Sequence, residues 1–206
     1  MKILALELSS SRGSVVWADG AAIACSAEFA NDRKHSGAFF EQLKTCSRRC
    51  GKPDRIVVGL GPGSYAGTRI AIAAALGLQV ATGAELIGVA SVRAIRSDAR
   101  EYTVVGDARR RSFYFARVVD RSCIEGPLLC NEQELHERLA RLKIPIFSTE
   151  PLHQFASVTL AFPSARVLAE IAATEEPTIS SDPLEPIYLR EPHITQSKSP
   201  FTTARR

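Results

Sequence analysis

A glycine-rich turn is the first place where this chain could hold a ligand. Residues 59–64 (Gly-Leu-Gly-Pro-Gly-Ser) follow a β-branched run and precede a long helix rich in small residues. Glycine and proline at this density favour a tight backbone turn. Such a turn can direct amide N–H groups at an anion, with Ser64 or Thr68 capping the helix that follows. A plain tight turn is the alternative, because glycines often precede helices without binding anything.

Two acidic side chains stand at matching places in the two halves of the chain. Glu7 lies at the polar exit of the first predicted strand, in the run Glu7-Leu8-Ser9, and Asp107 directly follows the strand predicted over residues 102–106. If each half forms one lobe, a cleft between the lobes places these two carboxylates opposite each other.

Other candidates for chemistry are weak. The cysteines at 25, 46, 50, 123 and 130 include no CxxC pair, and an odd number in a cytosolic chain predicts free thiols. Cys46 and Cys50 lie one helical turn apart without two further ligands nearby, which favours buried packing over metal binding. The four histidines lack metal spacing, and HExxH and GxSxG motifs are absent, so a peptidase is disfavoured.

Composition limits the class of protein. The chain has 206 residues, 45% of them hydrophobic, and a net charge of +4 carried mostly by residues 1–100. This charge permits contact with nucleic acid but does not demand it. The N-terminus reads as a strand rather than a signal peptide, and no apolar run has the length of a membrane span. We therefore expect a cytoplasmic protein that does not enter membranes.

The predicted elements repeat. The first half reads as three strands (2–8, 14–18 and 21–29), a helix (35–50), a strand (56–58), a helix (66–82), a strand (86–89) and a short helix (91–99). The second half reads as strands at 102–106, 113–119 and 124–130, a helix at 131–142, a strand at 145–148 and a helix at 163–173. The shared order predicts a duplicated α/β unit, with lobes at 1–100 and 101–190 and a loose tail at 191–206.

The helix predicted over residues 66–82 carries small side chains on two faces. One face holds Gly67, Ala71, Ala74 and Leu78, and the other holds Ile70, Ala73, Gly77 and Ala81. Small residues at this spacing allow close helix packing, so one face is expected on its own sheet and the other at a subunit interface. A helix fully buried in one domain is the alternative. The residues predicted to meet a partner are Phe39, Phe40, Leu43, Ile70, Ala74 and Gly77.

Four segments together resemble the TsaB (YeaZ) family. Residues 59–69 match that family's GxGPGSfTGxRIG signature, and residues 86–91 resemble its "LIGVSSL". Residues 107–110 resemble "DARRGEVY", and residues 186–190 resemble "PVYLR". The motif residues in the glycine turn are Gly59, Gly61, Pro62, Gly63, Ser64, Gly67 and Arg69. The similarity runs in order along nearly the whole chain.

The resemblance implies an α/β, actin-like/Hsp70-like (ASKHA) fold of two RNase H-like lobes. It implies a non-catalytic subunit in the synthesis of threonylcarbamoyladenosine at position 37 of tRNAs that read codons beginning with A. Its partners would be the catalytic paralogue TsaD, met through a four-helix bundle, and the ATPase TsaE, with tRNA reached through the complex. A homodimer of the free chain is also possible. The alternative is a weak nucleotide-binding ATPase or transferase of the same fold.

Departures from the family pattern bear on chemistry. The catalytic paralogue binds metal through HxxxH, whereas here His35 is followed four residues later by Phe39, which is not a ligand. The family's first-strand "DTS" is replaced by Glu7-Leu8-Ser9, so Glu7, Ser9 and Asp107 are interpreted as a vestigial nucleotide cleft with weak ATP binding at most. Glu7 is then a remnant or a structural hydrogen-bond acceptor. Arg69 is expected to reach the turn or an acid on the partner, and otherwise to be a solvated surface residue.

The arginines at 109–111 allow two interpretations. They could touch RNA phosphates, or they could belong to a solvated hairpin.

Overall fold

The first of two sheets forms the N-terminal lobe. A computed structural model describes residues 1–31, 36–174 and 184–190. The strands of the first sheet are β1 (Lys2–Glu7), β2 (Arg12–Asp19), β3 (Ala22–Ala30), β4 (Arg55–Gly59) and β5 (Glu85–Val89). They lie in the order β3-β2-β1-β4-β5. The first three are antiparallel neighbours, whereas β1, β4 and β5 run parallel to one another.

The second sheet repeats this topology. Its strands are β6 (Glu101–Asp107), β7 (Ser112–Val119), β8 (Ser122–Asn131), β9 (Ile146–Ser148) and β10 (Val158–Leu160). They lie in the order β10-β9-β6-β7-β8. Read from β8 to β10, this is the same arrangement as in the first sheet, with β6, β7, β8, β9 and β10 in the places of β1, β2, β3, β4 and β5. The antiparallel and parallel pairings also match. The predicted duplication of one α/β unit is therefore confirmed.

Helices cover both faces of the first sheet. The described helices of both lobes are α1 (Gly37–Cys50), α2 (Tyr65–Thr82), α3 (Glu132–Ala140) and α4 (Ala165–Thr174). All of them except α3 pack on the first sheet. Helices α1 and α2 pack on the face that presents Leu4 and Leu6, whereas α4 packs on the face that presents Ile3 and Ala5. Successive strand residues point to opposite faces, so a strand covered on both sides has an apolar interior, as β1 has from Ile3 to Leu6.

The two predicted helix caps are present. The Ser64 side chain accepts a hydrogen bond from the Gly67 amide at the start of α2. Asn131 and Glu134 form a reciprocal capping box at the start of α3. Each satisfies amide groups that have no partner inside the helix.

Three elements differ from the sequence-based prediction. The expected helix over 91–99 is a single 3-10 turn (Ser91–Ala94), because Ile95 is extended and bridges to Pro163. Strand β10 was missed; it is only three residues long. Helix α4 lies in the range assigned to the second lobe, yet it packs on the first. The predicted tail at 191–206 lies outside the described residues, as does His35.

A disulfide joins β3 to α1. Cys25 and Cys46 are bonded, with Cα atoms 5.7 Å apart. The prediction of free thiols is wrong for these two residues, whereas Cys50, Cys123 and Cys130 are free. The expected burial of Cys46 is observed, since it is 0% exposed. Counting and spacing cysteines cannot reveal a pair that meets only when a helix packs on a strand.

Candidate functional site

The glycine turn is packed directly against the end of β1. A Cβ atom on Gly59 would lie 1.9 Å from a carboxylate oxygen of Glu7. On Gly63 it would lie 2.0 Å from the Ser9 carbonyl oxygen, and on Gly67 it would lie 2.1 Å from the Leu8 carbonyl oxygen. These distances are far below van der Waals contact, so each of the three positions requires glycine. The motif thus lets two backbone segments approach closely.

Amide groups of the turn are largely engaged within the protein. The Gly61 amide donates to the Ser91 hydroxyl, and the Ser64 amide donates to the Ser9 carbonyl at 2.6 Å. The Gly67 amide donates to the Ser64 hydroxyl. Donors committed in this way do not serve an anion. The structure therefore favours the plain tight turn over the anion cradle that the sequence also permitted.

Glu7 is a buried structural acceptor. It is 0% exposed, and its two carboxylate oxygens accept from the Ser9 amide at 2.7 Å and from the Ser91 hydroxyl at 2.8 Å. Because the side chain is completely buried, it does not face Asp107 across a cleft, and that expectation is wrong. Burial raises the pKa of Glu7 above its usual 4.5, while the hydrogen bonds from Ser9 and Ser91 act in the opposite direction.

The buried carboxyl of Glu7 makes the stability of the fold pH-dependent in a defined direction. Because its folded-state pKa is raised, the folded chain binds this proton more tightly than the unfolded chain does. The contribution of Glu7 is therefore most favourable below about pH 4.5 and declines as pH rises through the folded-state pKa. We expect the unfolding free energy of Glu7→Gln, relative to wild type, to increase with pH across this window.

Urea unfolding at a series of pH values from 4.5 upward measures this difference. Glu41→Gln, at an exposed carboxylate on α1, is the control and should follow the wild-type curve. Parallel curves for wild type and Glu7→Gln would contradict the assignment of a raised pKa to Glu7.

A cavity of about 700 Å³ lies between the two lobes. The N-terminal lobe contributes Ser9 and the turn residues Pro62, Gly63 and Ser64, and the C-terminal lobe contributes Asp107 and Arg109. The structure thus brings together Ser9 and Asp107 as predicted, without Glu7. Asp107 is already engaged, because its carboxylate accepts from the Arg109 amide at 2.6 Å and lies 3.3 Å from the Arg109 guanidinium.

A segment near the C-terminus closes one side of this cavity. Residues 184–190, here called the strap, line the cavity from Pro186 to Arg190. Leu184 packs on the N-terminal core and Leu189 on the C-terminal core, so the strap bridges the lobes. Tyr188 accepts a hydrogen bond from Arg69 at 2.7 Å, and its ring lies 5.6 Å from that of Tyr65. Arg69 therefore holds the strap against α2 instead of reaching the glycine turn.

The outward side of α2 is an uncovered apolar surface. Val80 is 86% exposed and Leu76 41% exposed, and they share one side of the helix with Ala73 and Gly77. Phe40, 48% exposed, projects from α1, which covers the same face of the sheet. We call these five residues the docking face. Phe39 and Leu43 were predicted at an interface, but they are buried in the core of their own lobe.

The other three residues predicted at the interface differ in how deeply they are buried. Ile70 and Ala74 are half-buried and pack against the core of the N-terminal lobe, whereas Gly77 is exposed. Sequence reasoning missed Leu76 and Val80 because it looked for small residues, although both continue the helical spacing of Ala73 and Gly77. It also assigned no role to Tyr188 and Arg190, although both lie in a segment that carries the family resemblance.

The described residues offer neither a metal cluster nor a membrane-spanning helix. Within residues 1–31, 36–174 and 184–190, no three His, Cys, Asp or Glu side chains are grouped so that they could hold a metal ion. None of the described helices has the length and apolarity needed to cross a membrane.

Two lobes of matching strand order around a cleft form the predicted actin-like/Hsp70-like (ASKHA) fold of two RNase H-like lobes. Residues 33–143 match the model of the family described as TsaD, tRNA N6-adenosine threonylcarbamoyltransferase. This match covers more than half of the chain, and the chain belongs to that family. The resemblance to its TsaB (YeaZ) members is confirmed, because the fold is shared with YeaZ structures.

Two solved structures share the fold along most of their length. One is a protein with similarity to peptidase YeaZ from Pseudomonas aeruginosa, with a TM-score of 0.68, 19% identity, and coverage of 92% of this chain and 99% of that one. The other is YeaZ from Pseudomonas aeruginosa, with a TM-score of 0.66, 18% identity, and coverage of 84% and 91%.

Sequence relatives occur in mycobacteria. An uncharacterized protein of Mycobacterium tuberculosis is 33% identical over 141 residues, which are 68% of this chain and 65% of the relative. An uncharacterized protein of Mycobacterium leprae is 32% identical over 152 residues, which are 72% of this chain and 42% of the relative. The matched region thus spans 65% or less of these relatives' length.

Proposed function

We propose that this chain is a non-catalytic subunit of the complex that forms threonylcarbamoyladenosine at position 37 of tRNAs reading codons that begin with A. It docks on a TsaD-type catalytic paralogue and holds it in a competent state, and a TsaE-type ATPase joins the complex. The family match supports the reaction, because the family is that of tRNA N6-adenosine threonylcarbamoyltransferase. The proposal places the chain in the cytoplasm, where it reaches tRNA through the complex.

The uncovered docking face is the observation that carries the proposal. A side chain as exposed as Val80, with Leu76 on the same side of α2 and Phe40 exposed on α1, leaves apolar surface in water that a partner would bury. Gly77 lies in the middle of this surface, and nothing lies within 4 Å of where its Cβ would be. A partner helix can therefore approach the α2 backbone closely. A matching helix pair on the paralogue, or on a second copy of this chain, fits such a face.

The chemistry of the cleft supports a role without catalysis by this chain alone. The one acid that the cavity shares with the predicted nucleotide site is Asp107, and Arg109 neutralises it. Glu7 is buried beneath the glycine turn, and at least three amides of the turn region are engaged internally. Hydrolysis needs a base that activates a nucleophile, and the one acid that the predicted nucleotide site contributes to the cavity is already paired with Arg109.

Co-purification tests the proposal. A tagged copy of this chain, expressed with the TsaD-type paralogue of the same organism, should retain the paralogue through size-exclusion chromatography. The untagged pair should elute together, at a smaller volume and therefore a larger apparent mass than either subunit alone. Separate elution at micromolar concentrations would contradict the docking proposal.

A weak nucleotide-binding protein is the second candidate, favoured by the size of the interlobe cavity. At about 700 Å³ it is large enough for a nucleotide. We expect ATP with magnesium to bind with a dissociation constant on the order of 1 mM or weaker, because the turn amides do not form a phosphate cradle. Isothermal calorimetry on the isolated chain measures this. Micromolar, magnesium-dependent affinity, or ATP turnover lost in Asp107→Ala, would favour the second candidate.

A further inference from the structure

We infer that the turn between β6 and β7 is a contact site for the phosphate backbone of RNA. We call residues 109–111, three consecutive arginines, the arginine turn. The inference rests on the proposed function for the identity of the RNA as tRNA. It adds a surface of this chain that takes part in recognition beyond docking on the paralogue.

The arginine turn has a defined backbone. The Ala108 amide donates to the Ser112 carbonyl at 2.9 Å, and the Ser112 amide donates to the Arg109 carbonyl at 3.1 Å. The Arg109 amide donates to the Asp107 carboxylate at 2.6 Å. These bonds close the turn on itself at the end of two paired strands. The three arginine side chains therefore project from a hydrogen-bonded turn of defined conformation.

The turn concentrates positive charge that the described part of the chain does not neutralise. All three arginines are exposed. Arg109 pairs with Asp107 at 3.3 Å, whereas Arg110 and Arg111 form no ion pair with any described residue. Arg190 of the strap donates to the Ser112 hydroxyl at 2.6 Å, which brings a fourth guanidinium beside the turn. Two carboxylates lie at this end of the sheet, Asp107 and Glu150, the second of which accepts from the Asp107 amide at 2.8 Å. Four guanidinium groups against two carboxylates leave a local excess of cationic charge.

The backbone of the turn is unfavourable for arginine. Arg109, Arg110 and Arg111 have φ values of 66°, 53° and 59°, in the left-handed region that glycine adopts far more readily than residues with a Cβ. The turn therefore holds three cations in a backbone region where glycine would fit better. Unfavourable backbone of this kind is often retained at binding sites.

Phosphate is the partner chemistry that suits such a turn. A guanidinium offers planar paired donors that match two phosphate oxygens, and its charge does not titrate at physiological pH. A nucleic-acid backbone presents phosphates in succession, so it can engage adjacent arginines without a shaped pocket. Arg109 and Arg190 also line the interlobe cavity, which places the turn at its mouth. An RNA strand on this surface would cross the entrance of the cleft.

The double variant Arg110→Gln, Arg111→Gln tests the inference. Glutamine has the same left-handed cost as arginine, so folding should be retained while two charges are lost. The matched control is Arg141→Gln with Lys143→Gln, which removes two charges at exposed positions of the same lobe. The probe is an unmodified, fluorescently labelled tRNA transcript, titrated by anisotropy from about 50 to 200 mM salt. It is titrated with the chain alone and with the chain bound to its paralogue.

We expect the arginine-turn variant to bind the transcript about ten-fold more weakly at the low-salt end, with a salt slope smaller by about one to two. The control should lose no more than about two-fold. Arg111→Gly should also weaken binding while melting at the same or a higher temperature, because glycine suits the turn. Equal affinity and equal salt slope for the variant and wild type, in both states, would overturn the inference.

The same titration separates this inference from the proposed function. If the paralogue still co-elutes while the arginine-turn variant binds the transcript like wild type, the docking proposal stands and the arginine turn is not an RNA contact. If the paralogue does not co-elute but the chain alone binds RNA through the turn, the inference stands and the docking proposal fails.

Discussion

Val80→Asp should abolish stable docking on the catalytic paralogue without unfolding this chain. Val80 is 86% exposed, so a carboxylate there remains hydrated in the free protein. In the complex the same carboxylate would be buried against apolar surface without a partner, which is strongly unfavourable. We expect the affinity to fall by about 100-fold or more, equivalent to about 3 kcal/mol. Titration calorimetry or surface plasmon resonance against the purified paralogue measures the loss.

A matched control keeps this result specific. Ile124→Asp makes the same change at another exposed β-branched residue, 55% exposed, in the other lobe. It should bind the paralogue like wild type, and both variants should keep the wild-type circular dichroism spectrum.

Gly77→Leu tests whether a partner helix approaches α2 closely, because the introduced leucine side chain would meet open space in the free chain. Ala74→Phe is a poorer probe, since Ala74 already packs on the core. Unchanged affinity of Val80→Asp would place the interface elsewhere.

The second large effect is on stability and comes from the paired variants Gly67→Ala and Gly77→Ala. Both glycines lie in α2, but a Cβ on Gly67 would lie 2.1 Å from the Leu8 carbonyl oxygen and one on Gly77 would touch nothing. Moving backbone to relieve such overlap is costly, so Gly67→Ala should lose about 3 kcal/mol. Gly77→Ala should gain roughly 0.5–1 kcal/mol, because alanine is the better helix former.

Chemical denaturation of both variants tests this pair in one experiment. Opposite signs for the same substitution in one helix would separate a packing effect from helix propensity. If Gly67→Ala were as stable as wild type, the close approach of α2 to β1 would not be a requirement of the fold, and the motif would need another explanation.

The fold could be predicted largely from local patterns. The periodicity of apolar residues, together with the turn residues between them, predicted nine of the ten described strands and the four described helices to within a few residues. The repeated order of elements in the two halves then predicted the duplicated sheet. What failed was long-range: α4 returns to the first lobe, a placement that its own amphipathic pattern does not encode. A pattern shows that a face is apolar, but not which surface will cover it.

The site was predictable in identity but less so in role. The glycine turn was found at once, yet its purpose depended on what lies 2 Å from each missing Cβ, which is information that sequence spacing lacks. Glu7 was recognised as unusual, but its burial and its hydrogen bond from Ser91 could be seen only in the folded structure. The Cys25–Cys46 bond likewise depends on α1 packing on β3. Phe39 and Phe40 illustrate the limit, because neighbours on one helix point to opposite environments.

The most direct test of the account is tRNA modification reconstituted from purified components, with each component omitted in turn. The substrate is an unmodified tRNA that reads a codon beginning with A, supplied with ATP and a donor of the threonylcarbamoyl group. The account predicts that the modified nucleoside, quantified by mass spectrometry, falls to background when this chain is left out or replaced by Val80→Asp. Modification at the full rate without this chain would contradict it.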